Sequence, residues 1–316
     1  MSKTIVIIGS TGAQGGGVAR AVVANKAFKK VKLATRHPNA DKMKSLLQDL
    51  PGTKAVRVDL NDKFSLVVAF KGADAVFGTF NYWGTLAAVG YDEAKAVEME
   101  IQQGKNVVDA AKEASVKHVV LSTLEDVATL TGGKVKCWHF TTKGRIETYA
   151  RQQEIPCTFV RYAFYYQNFE ALFQGDAQGN VHLAMKDHVL QTVDTEDAGK
   201  AVAKIFQEGP RVWAGREIGL AGDSMPVQAY LDIYNEVKQA GVQRKYVPED
   251  WEEKAKNPVT KELAEMFYFY TDYDKQCIRD VSATKQLYPG MRSYYEYAHM
   301  QWYQQLLRLR PNGQDE

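Results

Sequence analysis

Short, almost wholly apolar runs alternate with longer amphipathic segments through the first half of the 316-residue chain. The runs at 4–8, 31–35, 55–58, 75–79, 117–122 and 158–162 predict strands covered on both faces. Between them the helical spacing predicts helices over 16–26, 41–50, 64–71, 92–114 and 142–152. Strand and helix in alternation predict an α/β fold: a Rossmann-type, doubly wound parallel sheet with right-handed crossovers.

Beyond residue 162 the alternation becomes irregular, with helices expected near 195–207, 226–240 and 294–309. Three tyrosines (Tyr82, Tyr91, Tyr149) fall in the first 150 residues and the other 14 follow. The pattern divides the chain into a dinucleotide-binding domain, 1–162, and a smaller α+β domain, 163–316, from which some segments return to the first sheet. The late aromatics either pack one domain on the other or wall a pocket between them. The tail 311–316 reads as frayed.

Composition narrows the class further. There are 40 basic against 38 acidic residues, a net charge of +2, and no Lys/Arg-rich block, so no nucleic-acid footprint is expected. No apolar stretch is long enough for a membrane span. Cys137, Cys157 and Cys277 are odd in number and far apart, which suits a reducing, intracellular compartment. The six histidines show no ligand spacing with cysteines or acids, so no metal site is expected.

The first strand runs into Gly9, Ser10, Thr11, Gly12, Ala13, Gln14 and Gly15, and a helix follows. Glycines in this context allow a tight turn, close approach of a pyrophosphate and close helix–strand packing. The helix N-terminus then supplies free N–H groups to the phosphates. The second strand ends in Thr35, Arg36 and His37, with no acid before Asp41. Arginine there accommodates a 2′-phosphate, whereas an acid would bind the 2′-hydroxyl, so the expected cofactor is NADP(H). Asp59, after the third strand, either meets the adenine or shares a helix-capping role with Asp62.

Short-chain dehydrogenases of this architecture carry Tyr-x-x-x-Lys after the fifth strand, where lysine lowers the pKa of the tyrosine acid/base. Here Lys143 is in place, but His139 occupies the tyrosine position. Ser122, at the end of the fifth strand, is a candidate hydroxyl partner. His139 is then a substitute acid/base, or a residue of a site that keeps Lys143 for cofactor binding alone, or a solvent-facing residue at a helix start.

The glycine turn, Thr35 to Pro38, Asn81-Tyr82-Trp83, Gln103-Gly104-Lys105, Leu124-Glu125 and the segment His139 to Gly144 together resemble NmrA-like proteins. These are atypical short-chain dehydrogenases/reductases, and the likeness is greatest to their animal redox-sensor branch. Residues 248–251 and 265–270 resemble the C-terminal domain of that branch. The resemblance implies NADP(H) contacts at Gly9 to Gln14, Arg36 to Ala40, Phe80, Asn81, Lys143 and the loop Tyr165, Tyr166, Gln167 and Asn168. It implies a cytoplasmic sensor, with the nucleus as a second compartment, that reports cofactor state to a regulatory protein partner. Such a protein acts as a monomer or as a homodimer responsive to cofactor. Other branches resembling it reduce quinones or phenylpropanoids with NADPH, so NADPH-dependent reduction of quinones or related aromatic carbonyls is the alternative reading.

Overall fold

The computed structural model describes residues 3–186, 188–238 and 243–309. The expected frayed tail, 311–316, lies outside the described residues. Strand β1 (Thr4–Ile8) leads through α1 (Ala13–Asn25) to β2 (Lys30–Thr35), then α2 (Asp41–Asp49) and β3 (Lys54–Arg57). The chain crosses over α3 (Lys63–Phe70) to β4 (Ala75–Gly78), and over α4 (Tyr82–Ala88) and α5 (Glu93–Glu113) to β5 (His118–Ser122). Helix α6 (Trp138–Gln152) precedes β6 (Cys157–Tyr162). The chain then enters the second lobe and returns through α7 (Thr195–Glu208) to β7 (Glu217–Leu220).

These seven strands form one parallel sheet in the order β7-β6-β5-β4-β1-β2-β3. Alternation along β1 explains the layering. Ile5 and Ile7 join the core under α1 and α7, while Val6 and Ile8 join the core under α3 and α5. A strand buried on both faces needs apolar residues at every position, and all of β1 is buried.

Residues beyond β6 that do not return to this sheet build a smaller α+β lobe. It holds a three-stranded sheet (Asp223–Pro226, Val189–Val193, Phe164–Tyr165) and a two-stranded sheet (Lys245–Pro248, Asn180–Leu183). Helices α8 (Val227–Lys238), α9 (Pro258–Asp272) and α10 (Tyr294–Leu309) cover them. Its core is largely aromatic, with Tyr166, Phe169, Phe173, Tyr230, Phe269 and Tyr294 buried together. No helix among the described residues is long and apolar enough to cross a membrane.

Two helix starts differ from the sequence expectation, and both bear on the site. Helix α1 begins at Ala13 rather than 16, because glycines at 15–17 lower helix propensity without breaking the hydrogen-bond ladder. Helix α6 begins at Trp138 rather than 142, because its first turn is capped from outside by carboxylates of α9. His139 and Lys143 therefore lie one helical turn apart on the same face.

Candidate functional site

Gly9 ends β1 with φ +73°, and a Cβ there would lie 2.5 Å from Thr79 Cγ2. The Gly12 N–H donates to the Gly9 carbonyl at 2.8 Å, closing the turn. At Gly15 a Cβ would sit 2.3 Å from the same carbonyl oxygen, so helix and turn can meet this closely only with glycine. Gly12 caps α1 with no side-chain hydrogen bond, and the first turn contains no acid. Among the described residues no side chain caps this helix start, which leaves its N–H groups and dipole suited to an anion. Ser10 is buried and its hydroxyl has no partner among the described residues. Gly12 and Ala13 are exposed beside it, and Thr11 is half-exposed. A buried hydroxyl without a partner, beside uncapped N–H groups and a glycine cradle, fits a bound diphosphate.

Pairing of Ile8 with Ala34 carries Arg36 to the same end of the sheet as the turn. Arg36 is exposed, and no acid of the described residues forms an ion pair with it. Asp59 is half-buried and turned inward on its own loop, where Oδ1 accepts from the Asn61 N–H at 2.9 Å. Asp62, not Asp59, caps α3 by accepting from the Phe64 N–H.

At the other end of the turn, Gln14 bridges two elements. The Thr79 hydroxyl donates to Gln14 Oε1 at 3.0 Å, and Gln14 Nε2 donates to the Tyr165 hydroxyl at 2.6 Å. Burial pushes the Tyr165 phenol up to about 12, against the lowering effect of the Gln14 bond. Phe80 is buried in the sheet core, and Asn81 caps α4 by accepting from the Gly84 N–H. From the loop 165–168, only the Tyr165 side chain reaches Gln14. Tyr166 points into the aromatic lobe and donates to the Arg292 carbonyl. Gln167 donates to Asp194, the cap of α7, at 2.7 Å, and Asn168 is exposed.

The positions that match the Tyr-x-x-x-Lys pair are both buried and both engaged. The Lys143 ammonium lies 3.1 and 3.3 Å from the Glu100 oxygens and donates to the His139 carbonyl at 2.9 Å. Thr142 donates to the same Glu100 carboxylate. His139 Nδ1 lies 2.6 Å from Glu262 Oε2, and its ring packs against Trp83 and Phe140. The solvent-facing reading of His139 is therefore overturned, since the residue is 8% exposed. Burial alone would raise the Glu262 carboxyl, yet bonds from the His139 ring and the N–H groups of His139 and Trp138 hold it below the usual range. Ser122 is buried at the end of β5.

The model of the NmrA-like family matches residues 1–298. The chain belongs to the NmrA-like family. An NmrA-like family domain-containing oxidoreductase of Aspergillus hancockii is 29% identical over 272 residues, covering 79% of this chain and 77% of its own. Among solved structures, NmrA, a negative transcriptional regulator in complex with NADP, superposes with a TM-score of 0.77 at 23% identity over 98% of both chains. The NADPH-dependent quinone oxidoreductase of Escherichia coli, complexed with NADPH, gives 0.73 at 19% identity over 94% of this chain and 99% of its own.

For this NmrA-like protein, sequence spacing concealed two participants. Glu262 reaches His139 from 123 residues away, so no local motif announces it. Glu100 lies on the buried stripe of α5 with Ala96, Gly104, Val107 and Ala111. A charged residue on an apolar stripe is a readable signal of a buried ion pair. The expectation that histidines do not gather with cysteines or acids is also corrected. Cys137, His139 and Glu262 place one ligand-type atom each within 4.8 Å of one another, all three residues being buried.

Proposed function

We propose that this NmrA-like protein binds NADP(H) at the glycine turn and acts as a cofactor-responsive regulatory protein with little or no dehydrogenase activity. One observation carries the reading. The two residues at the acid/base pair positions, His139 and Lys143, are each held by a buried carboxylate, Glu262 and Glu100. A proton shuttle must reach the reacting group, and both of these side chains are committed elsewhere.

The cofactor, when bound, supplies hydride chemistry and two redox forms that differ in charge. The chain's own residues have distinct parts. Backbone N–H groups of 10–15 receive the diphosphate, Ser10 offers its hydroxyl, and Arg36 faces the 2′-phosphate. Gln14 and Tyr165 line the opposite end. Helix α6 carries Lys143 near the cofactor side and takes its cap from the second lobe, so it joins the two regions.

A second reading is NADPH-dependent reduction of quinones or related aromatic carbonyls. The oxidoreductase name of the Aspergillus hancockii relative favours it. A flat aromatic acceptor needs stacking surfaces more than a dedicated proton donor. Titration calorimetry with NADPH, NADP and NAD, followed by a quinone and carbonyl screen on the same sample, separates the two. The regulatory reading expects binding of NADP forms with negligible turnover. Turnover at ordinary enzymatic rates overturns it in favour of the second, and failure to bind any dinucleotide removes both.

A further inference from the structure

The residue that caps the start of α6 has an unusual backbone. Cys137 sits at φ 37°, ψ 69°, a region that non-glycine residues seldom occupy and that is retained only where the surroundings enforce it. That conformation turns its thiol back toward the helix it precedes, with Sγ 3.7 Å from His139 Nδ1. The same nitrogen lies 2.6 Å from Glu262 Oε2. Thiol, imidazole and carboxylate thus converge from two elements far apart in sequence.

A fourth group lies nearby. Tyr82 is 1% exposed, and its hydroxyl has no hydrogen-bond partner among the described residues. Its ring lies 6.5 Å from that of His139, and burial, then the nearby Glu262 carboxylate, push its phenol up. A buried hydroxyl without a partner calls for a ligand or an ordered water.

Charge points the same way. Around these groups lie the carboxylates of Glu93, Glu100, Glu262 and Glu265 and the ammonium groups of Lys143 and Lys261. Lys261 pairs with Glu93 at 2.9 Å and Lys143 with Glu100 at 3.1 Å. Glu262 and Glu265 are left with backbone N–H donors and the His139 ring. Of the two, Glu262 is held below the usual carboxylate range and has no lysine or arginine within ion-pair distance among the described residues, a local attraction for a cation.

We propose that Cys137, His139 and Glu262 form a site for a borderline-soft divalent cation of the zinc type, with the Tyr82 side facing its fourth position. Soft sulfur, imidazole and one carboxylate are a donor set that zinc accepts. Bond lengths of about 2.3 Å to sulfur and about 2.0–2.2 Å to nitrogen and oxygen require ligand atoms roughly 3.3–3.6 Å apart. Sγ and Nδ1 nearly meet this, and the carboxylate opens from Nδ1 by roughly 1 Å to admit the ion. On binding, the thiol releases its proton to solvent and the imidazole proton moves from Nδ1 to Nε2. Each Glu262 oxygen keeps a lone pair for the N–H groups it already caps.

The test uses the full chain, stripped with a chelator and then titrated with zinc against a chromophoric competitor and, separately, with cobalt(II). The expected results are one ion per chain and, for cobalt, a near-ultraviolet thiolate charge-transfer band. Cys137→Ser should abolish that band and weaken zinc binding by more than the roughly 10–100-fold typical of losing an outer partner. Glu262→Gln should also weaken it, while Cys277→Ser should bind as the wild type does. The thiolate band is read on the unmutated protein, so a variant that folds poorly does not decide the outcome. Absence of stoichiometric binding to the wild type, or equal loss in Cys137→Ser and Cys277→Ser, overturns the proposal.

Discussion

Gly17 on α1 and Gly199 on α7 meet back to back, so that a Cβ on Gly199 would lie 2.3 Å from the Gly17 carbonyl carbon. A Cβ on Gly17 would in turn lie 2.5 Å from the Thr195 carbonyl oxygen. The obstacle on both sides is backbone, which cannot swing aside as a side-chain tip can. Gly199→Ala should therefore destabilise the fold by at least the about 1–3 kcal/mol typical of overpacking. Urea unfolding monitored by circular dichroism measures it, and an unchanged midpoint would mean that the two helices separate readily. On the proposed reading that the turn leading into α1 receives the diphosphate, dinucleotide affinity should fall alongside stability.

Arg36 is exposed beyond β2 and has no acidic partner among the described residues. Its loss should leave the fold intact and weaken NADPH binding by roughly 10–100-fold, from the loss of one or two charge-assisted bonds. Affinity for NADH should stay nearly constant. Calorimetric titration of Arg36→Ala with both cofactors checks this, and an equal loss for both would reassign Arg36 to a structural role.

Lys143 and Glu100 form a buried pair, and breaking one side leaves an uncompensated charge. Lys143→Met should cost about 3–5 kcal/mol of stability, whereas Lys143→Met combined with Glu100→Gln should recover a substantial part. Equal destabilisation in the single and double variants would show that the pair does not act as a unit.

His118 is buried on β5, with Nε2 2.9 Å from the Thr158 hydroxyl and Nδ1 without a hydrogen-bond partner among the described residues. Burial lowers its pKa from an ordinary value of 6.5 to about 4. The unfolded chain therefore takes up the proton first as pH falls. The stability linked to neutral His118 is fully present above about pH 7 and is lost progressively as pH drops from 6.5 toward 4, amounting to about 3 kcal/mol. His118→Gln should flatten that part of the stability–pH profile, measured by urea midpoints at intervals of half a pH unit. Superimposable profiles would assign the acid sensitivity to other groups.

The parts of this fold readable in the sequence are those set by neighbours a few residues apart. Ile5 to Ile8 and Val119 to Leu121 show continuous apolar runs because both faces of their strands are covered. The glycine turn was readable because each glycine answers a local steric demand. β7 was not, since its four residues include an exposed glutamate and two half-buried positions at the sheet edge. The direction of Tyr166 was decided by packing against Tyr294 and Tyr297, more than 120 residues downstream, although strand alternation already separates it from Tyr165. Glu262 belongs with these long-range cases, because capping a helix from another lobe leaves no trace beside His139.

The return of the chain through α7 and β7 sets the order in which the molecule can be completed. The edge of the parallel sheet and the helix that covers α1 are not synthesised until after residue 194, once the first strands of the second lobe have emerged. A fragment ending at 162 would expose the flank of β6 and the glycine face of α1, inviting association between copies. The parallel-sheet lobe is thus not a detachable module. Nascent chains remain vulnerable until the second lobe is largely made, and truncations within 163–220 should be cleared as unfolded protein rather than persist as cofactor-binding fragments.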